Sequence, residues 1–339
     1  MSVTQPPSSL LNNDRPVLVT GAAGFLGSNM VDRLLLDGKK VIGMDSYQTG
    51  APSNLRHLQD NASFTMIQHN IQNPIPTLPP LQAIYHLACP ASPPQYQKDP
   101  VDTLDTAYQG SRNLLTLAQQ HGCRILLSST SEVYGSPKEH PQPESYWGHV
   151  NPFGPRACYD EGKRAAEALA WAYQQPPRNV DVRIARIFNT YGPRLAPGDG
   201  RVVSSFVKTA LDGAPLVITG DGSATRSFQY VDDCIRGFVA LMEVESVPGP
   251  INIGNDVEIS LTELAGVVGR VVQQVTGQNI SEIEYRARPI DDPPMRRPDL
   301  TLAKRTLGWA PVVDLEEGLL KTVQWQLDER AWKKTVDAK

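Results

Sequence analysis

Short runs of Val, Ile and Leu alternate, through the first half of the chain, with stretches whose apolar residues return every three or four positions. The runs predict strands at Val17–Thr20, Val41–Asp45, Ala83–Ala88, Ile125–Ser129 and Val180–Ile187, separated by helices. Strands joined through helices run parallel, so the predicted fold class is α/β with a doubly wound parallel sheet. Ile125-Leu126-Leu127 is a continuous apolar run, as in a strand covered on both faces. Val180, Val182 and Ile184 instead alternate with polar residues, as in a strand toward the edge. After about residue 190 the pattern loosens. Gly192-Pro193, Pro197-Gly198, Gly220-Asp221-Gly222 and Pro293-Pro294 interrupt it, and helices are predicted at Ser204–Leu211 and Leu261–Val275. This half is expected to lie as a smaller lid over the carboxyl ends of the strands, where open α/β sheets bind ligands. The expected organisation is a flexible tail over 1–14 and a nucleotide-binding domain over 15–190, to which segments around 228–255 return. A lid domain over 191–330 and a tail over 331–339 follow.

Composition narrows the partners. The chain has 339 residues, enough for two core-sized units, and 32 basic against 36 acidic side chains, so no excess of positive charge points to nucleic acid. No apolar run approaches the ~18 residues of a membrane span. The first fourteen residues carry no Lys or Arg and do not read as a secretory signal, which favours the cytoplasm. The four cysteines, at 89, 123, 158 and 234, form no C-x-x-C pair and the histidines show no ligand spacing around them. Reduced thiols are therefore expected, without a metal site or disulfides.

Gly21, Gly24 and Gly27 follow the first strand and open a helix whose apolar positions include Leu26, Met30, Leu34 and Leu35. Glycines there permit a tight turn, bring backbone N–H groups up to a pyrophosphate and let the helix pack closely on the sheet, while the helix N-terminus adds positive charge. Asp45 ends the second strand 18 residues past Gly27, near the ~20 expected of a carboxylate that accepts ribose hydroxyls. A carboxylate there repels a 2′-phosphate, so NAD is favoured over NADP in a Rossmann-type domain. The G-x-x-G-x-x-G spacing resembles that of extended short-chain dehydrogenases/reductases.

Tyr159 and Lys163 form Y-x-x-x-K at the start of an Ala-rich helix, which sets both on one face. A phenol titrates near 10, so its use as a base at neutral pH needs a lowering of ~3 units, to be supplied by an ammonium and an oxidised nicotinamide nearby. Thr130 and Glu132 follow the strand that ends at Ser129, at the carboxyl edge of the sheet, where a hydroxyl can share a substrate proton with Tyr159. Ser128 and Ser129 read as caps of the next turn.

These residues stand within longer runs: G-A-A-G-F-L-G, H-L-A-C-P-A-S-P, S-S-T-S-E-V-Y-G, Y-W-G-H-V-N-P, C-Y-D-E-G-K-R, A-R-I-F-N-T-Y-G-P-R, T-R-S-F-Q-Y-V and D-D-P-P-M-R-R-P-D. Together, from about Arg15 to Gln326, they resemble the UDP-glucuronate decarboxylase family. The resemblance implies Tyr159 as base, Lys163 as its electrostatic partner, Thr130 as the hydroxyl bonding the sugar and Glu132 as a carboxylate near carbon 5. It implies Arg226 as a contact for the nucleotide sugar, Asn189, Arg201 and Arg296 as holders of the UDP portion, and Tyr96 near the glucuronate carboxylate. Phe25, Leu26, Asn70, Ile71 and Ala88 complete the implied cofactor contacts. A homodimer, through helices near Leu104–Gln119 and Tyr159–Gln174, is implied as well. The implied reaction oxidises carbon 4, loses CO₂ from the resulting β-keto acid and returns the hydride, giving UDP-xylose. Two departures stand out: Asn70 replaces the family's usual Asp, and Ala51-Pro52 stand where relatives often carry a basic residue. The alternatives are a sugar-nucleotide 4-epimerase, a 4,6-dehydratase, which usually has Asp at the position of Ser131, and a non-catalytic NAD-binding scaffold.

Overall fold

The computed structural model describes residues 14–279, 282–287 and 295–337. The expected N-terminal tail up to residue 13, Pro293-Pro294 and the opening of the 291–299 motif lie outside the described residues.

All four residues of β1 (Val17–Thr20) are buried, as a central strand requires. The chain turns at Gly21, with φ +70°, into α1 (Phe25–Leu36), whose Gly27, Met30, Val31 and Leu34 are buried. β2 (Val41–Asp45), β3 (Phe64–Gln68) and β4 (Ala83–His86) follow. Next come α2 (Pro93–Tyr96), α3 (Pro100–Asp105), a π-helical segment at Thr106–Gly110, α4 (Ser111–His121), β5 (Arg124–Thr130), α5 (Ala157–Gln174) and β6 (Val182–Ile187). The later part contributes β7 (Thr190–Tyr191), α6 (Val202–Leu211), β8 (Leu216–Thr219), β9 (Thr225–Ser227), β10 (Gln229–Tyr230) and α7 (Val231–Glu243). It continues with β11 (Ile251–Ile253), β12 (Glu258–Ser260), α8 (Leu261–Thr276), β13 (Ile283–Arg286), β14 (Met295–Arg296), α9 (Thr301–Leu307) and α10 (Leu315–Asp337).

Seven strands form one parallel sheet in the order β3-β2-β1-β4-β5-β6-β11. The order reverses between β1 and β4, which opens a crevice at the strands' carboxyl ends. Alternate strand residues sort to opposite faces. Leu18, Ile84, Ile125 and Leu127 pack with Leu114, Leu115, Ala166 and Ala170 on one side. Val17, Val19, Tyr85 and Leu126 join Met30, Val31, Phe238 and Leu241 on the other.

β6 lies toward the edge, one strand in from β11, and its polar positions are partnered: the buried Arg183 meets Asp181 at 2.7 Å and the half-buried Arg186 meets Glu167 at 2.7 Å. One expectation is corrected here. Residues 331–337, expected as a tail, are the last turns of α10. The smaller sheets lie in the later half: β12-β9-β14, β13-β8 and β10-β7.

The helix-to-turn contact at the head of α1 leaves no room for a side chain. A Cβ on Gly27 would lie 1.9 Å from the Gly21 carbonyl oxygen. Gly27→Ala is therefore expected to push α1 off the turn, lowering stability by about 1–3 kcal/mol and NAD affinity with it; a thermal melt and an NAD titration check both.

Candidate active site

Two adjoining cavities open above the carboxyl ends of the strands. The first, of about 220 Å³, is lined by Gly21, Gly24, Phe25, Leu26, Gly27, Asp45, Asn70, Ile71 and Ala88, all expected cofactor contacts. Gly24 caps α1 without a side-chain hydrogen bond, so the helix start presents backbone to the cavity. Asp45 is fixed from both sides: Oδ2 accepts the Ala23 N–H at 2.9 Å and Oδ1 the Tyr47 N–H at 2.7 Å. Burial raises its carboxyl above the usual range, against the pull of these amides. Asn70 Oδ1 accepts the Gln72 N–H at 3.0 Å. The far wall was not foreseen. Trp325, Glu329 and Lys333 of α10 line it, Lys333 from the stretch expected as a tail, and Arg56 binds Glu329 at 2.7 Å while standing over Trp332. The glycine cradle and the carboxylate at the end of β2 fit a dinucleotide with an unmodified ribose. Asp45→Ala is expected to leave two amides without their acceptor, costing about 1–3 kcal/mol, and to cut the preference for NAD over NADP at least about tenfold; the ratio of the two dissociation constants checks it.

The second cavity, of about 470 Å³, shares Leu26, Leu87, Cys89, Ala91, Leu195 and Arg201 with the first. Tyr96, Thr130, Glu132, Tyr159, Lys163, Asn189, Arg201, Arg226 and Arg296 all line it. Residues far apart in sequence thus meet because β5, α5 and the later strands converge on one crevice. Tyr159 lies in the first turn of α5 and is buried. The Tyr96 ring stacks parallel on it, with centroids 5.0 Å apart and planes within 2°, and its hydroxyl finds no hydrogen-bond partner among the described residues. One turn along the helix, Lys163 Nζ donates to the Ser128 carbonyl at 2.8 Å and stands 5.9 Å from the Tyr159 ring centre. Thr130 ends β5, its hydroxyl accepting the Glu132 N–H at 3.2 Å.

The lowering expected for the Tyr159 phenol does not come from the protein. Burial pushes it upward, and Cys89 and Glu132 add to the rise, against the Thr130 hydroxyl and the Arg201 charge. Ser128 and Ser129 are also corrected: both belong to β5, and Ser129 donates to Glu167 at 2.5 Å, so neither caps the turn. That role falls to Thr130.

Glu132 sits in the turn after β5 between two guanidinium groups. Arg296 grips it in bidentate fashion, at 2.5 and 2.8 Å, and Arg156 Nη2 donates to it at 2.7 Å. Burial alone would raise this carboxyl, but Arg296 and Arg156 hold it below its ordinary value. Arg296, expected to hold UDP, therefore has both terminal nitrogens on Glu132. It stands there because β14 pairs with β9 and sets Arg296 beside Arg226, whose Nη1 donates to the Thr225 carbonyl at 2.9 Å. Arg201, at the start of α6, pairs with Asp199 where the two cavities meet, and Asn189 lies between β6 and β7. Arg156 escaped the sequence reading, since a single arginine before a helix has the look of a surface charge.

Residues 17–254 match the NAD dependent epimerase/dehydratase family. The chain belongs to that family.

Among its relatives, UDP-glucuronic acid decarboxylase 1 of Xenopus tropicalis is 48% identical over 94% of this chain and 74% of its own length. UDP-glucuronic acid decarboxylase 2 of Arabidopsis thaliana is 52% identical over 92% and 68%. Among solved structures, UDP-glucose 4-epimerase from Thermotoga maritima, with UDP-glucose, superposes with a TM-score of 0.83 at 30% identity, covering 93% of this chain and 99% of that one. dTDP-glucose 4,6-dehydratase from Streptomyces venezuelae, with NAD bound, gives 0.82 at 29%, covering 94% and 98%. The cofactor of this epimerase/dehydratase-family chain is NAD. No described helix is long and apolar enough to cross a membrane.

Proposed function

We propose that the protein is a UDP-glucuronate decarboxylase that makes UDP-xylose through a 4-keto intermediate. The observation that carries this reading is the carboxylate Glu132, held by Arg156 and Arg296 in the same cavity as Tyr159 and Thr130. A neutral sugar has no use for such a cluster, whereas a sugar acid adds a carboxylate that charged groups nearby can recognise; CO₂ release then separates a decarboxylase from an epimerase acting on the same acid. The relatives that are about half identical carry the decarboxylase name, while the epimerase and dehydratase structures are 29–30% identical.

Bound NAD supplies the acceptor, and later the donor, of the hydride at carbon 4. Tyr159 takes the proton from the hydroxyl on that carbon, with Thr130 bonding the same oxygen and Lys163 fixed beneath by the Ser128 carbonyl. The sugar is then a β-keto acid. As CO₂ leaves, the ketone receives the electrons as an enolate, which the Tyr159 and Thr130 hydroxyls stabilise. Glu132, kept ionised between its arginines, is the carboxylate near carbon 5, and the proton that carbon takes up comes from water. Arg201, Arg226 and Asn189 hold the nucleotide diphosphate, and the unpartnered Tyr96 hydroxyl meets the carboxylate of the sugar.

We take the cytoplasm as the compartment and a homodimer as the assembly. Exposed Leu104 and Tyr108 beside α4 and Trp171 on α5 supply apolar surface for the dimer. The substrate assignment is tested by offering UDP-glucuronate, UDP-glucose and dTDP-glucose side by side: CO₂ and a pentose nucleotide from the first are expected. Turnover of either neutral sugar in preference would favour epimerase or dehydratase chemistry, and bound NAD without any turnover would favour a scaffold.

A further inference from the structure

Behind the Glu132 pair stands a second carboxylate that the reaction so far does not use. Asp160 follows Tyr159 on α5 and is 6% exposed. Its Oδ2 lies 3.7 Å from Arg156 Nε, too far for a hydrogen bond, and neither its Oδ1 nor that Nε has a partner among the described residues. The arginines are spent on Glu132 instead. Asp160 is faced by Glu132 from the turn after β5, by Arg296 from β14, by Tyr96 from α2, and by Arg156, Cys158 and Glu161 from its own helix and that helix's start.

With both acids ionised, the two arginines and two carboxylates balance. A sugar acid adds a third carboxylate to a buried cluster, and a net charge left there is costly. We propose that Asp160 is a positioning residue for an acidic sugar: it takes up one proton from solvent as the substrate carboxylate enters, so that both arginines stay charge-matched and Arg156 can turn to the substrate. The step is Asp160 carboxylate plus a solvent proton giving the neutral acid, with no other bond changed. This inference rests on UDP-glucuronate as the substrate.

Burial, with the Glu132 charge adding to it, pushes Asp160 up to about 7, against the pull of Arg156 and Arg296. A further negative charge raises it again. Below about pH 7 the proton is therefore already present and affinity is level. Above that, binding must recruit the proton, and affinity falls as pH rises, by up to about tenfold per pH unit.

The test uses NAD-loaded protein carrying Tyr159→Phe, whose turnover is slowed about 10²–10⁴-fold, with each heat read before appreciable product forms. UDP-glucuronate and UDP-glucose, whose carbon 6 is an alcohol, are titrated calorimetrically in buffers of different ionisation enthalpy. At about pH 8, UDP-glucuronate is expected to take up close to one proton and UDP-glucose none, with the dissociation constant of the acid alone rising about tenfold over the next pH unit. Adding Asp160→Asn, which keeps the shape, should flatten that rise; adding Asp160→Glu should restore it. Absence of proton uptake in the protein that retains Asp160, or an unchanged slope with Asp160→Asn, overturns the proposal. If UDP-glucuronate binds no better than UDP-glucose at any pH, the substrate reading fails first and takes the proposal with it.

Discussion

Tyr159→Phe is expected to lower kcat for decarboxylation by about 10²–10⁴-fold while leaving NAD affinity within a few-fold of the parent. The substitution removes one oxygen and keeps the ring that stacks on Tyr96 at 5.0 Å, so the cavity wall stays in place. What it removes is the hydroxyl that the proposed reaction uses to exchange a proton with the sugar, in the cavity it shares with Thr130 and Lys163. Burial drives this phenol upward in the protein, so its use as a base calls for an added positive charge, which a bound oxidised nicotinamide would supply. Single-turnover formation of NADH, followed at its absorbance band, checks the loss at the oxidation step. Full NADH formation with loss confined to CO₂ release would assign the base elsewhere.

Glu132→Ala should produce the largest loss of stability. It strands Arg296, which is 5% exposed, and strips the same anion from Arg156. Removing one partner of a buried ion pair costs about 3–5 kcal/mol, because the remaining charge stays buried without compensation. That is a large share of the ~5–15 kcal/mol by which domains are usually stable. Glu132→Ala combined with Arg296→Met should recover part of it, since the uncompensated charge is then gone. The pH dependence has a definite sign. The folded-state value of Glu132 lies below the ordinary 4.5, so its contribution is whole above about pH 4.5 and is lost as pH falls through the lowered value. Urea unfolding at neutral and acid pH checks this: the deficit of Glu132→Ala should be greatest near neutrality and shrink in acid. A deficit under 1 kcal/mol at neutral pH would mean that the cluster is no more than a surface pair.

How far the site could be read from residues alone follows from where its parts lie in the chain. The glycines 21, 24 and 27 and the Tyr159–Lys163 pair belong to single turns or helices, where spacing dictates which groups share a face, and Asp45 ends the very next strand. The Glu132 cluster assembles across 24 and 164 residues of sequence, and no local pattern announces such a meeting. β3 escaped because Phe64–Gln68 lies at the edge of the sheet, half exposed, without the apolar run that marks the strands inside it. β6 was legible as a strand toward the edge, but the partners of its charged positions were not. Its arginines look like solvent-facing positions, yet Arg183 and Arg186 are neutralised by Asp181 and Glu167, which lets a strand with polar alternation lie inside the sheet. At the cofactor cavity, Ala51 takes the place of a basic residue in a stretch that could be aligned by eye, but the basic Lys333 of the far wall reaches the cavity only when α10 folds back onto the nucleotide-binding half.

The central claim is that carbon 4 is oxidised only for as long as the carboxyl group takes to leave, and that the same hydride then returns. UDP-glucuronate deuterated at carbon 4, turned over in ordinary water, tests it most directly. The account predicts UDP-xylose that keeps the deuterium at carbon 4, formed without matching accumulation of NADH. A pentose nucleotide that has lost the label, or NADH formed in step with product, would contradict it.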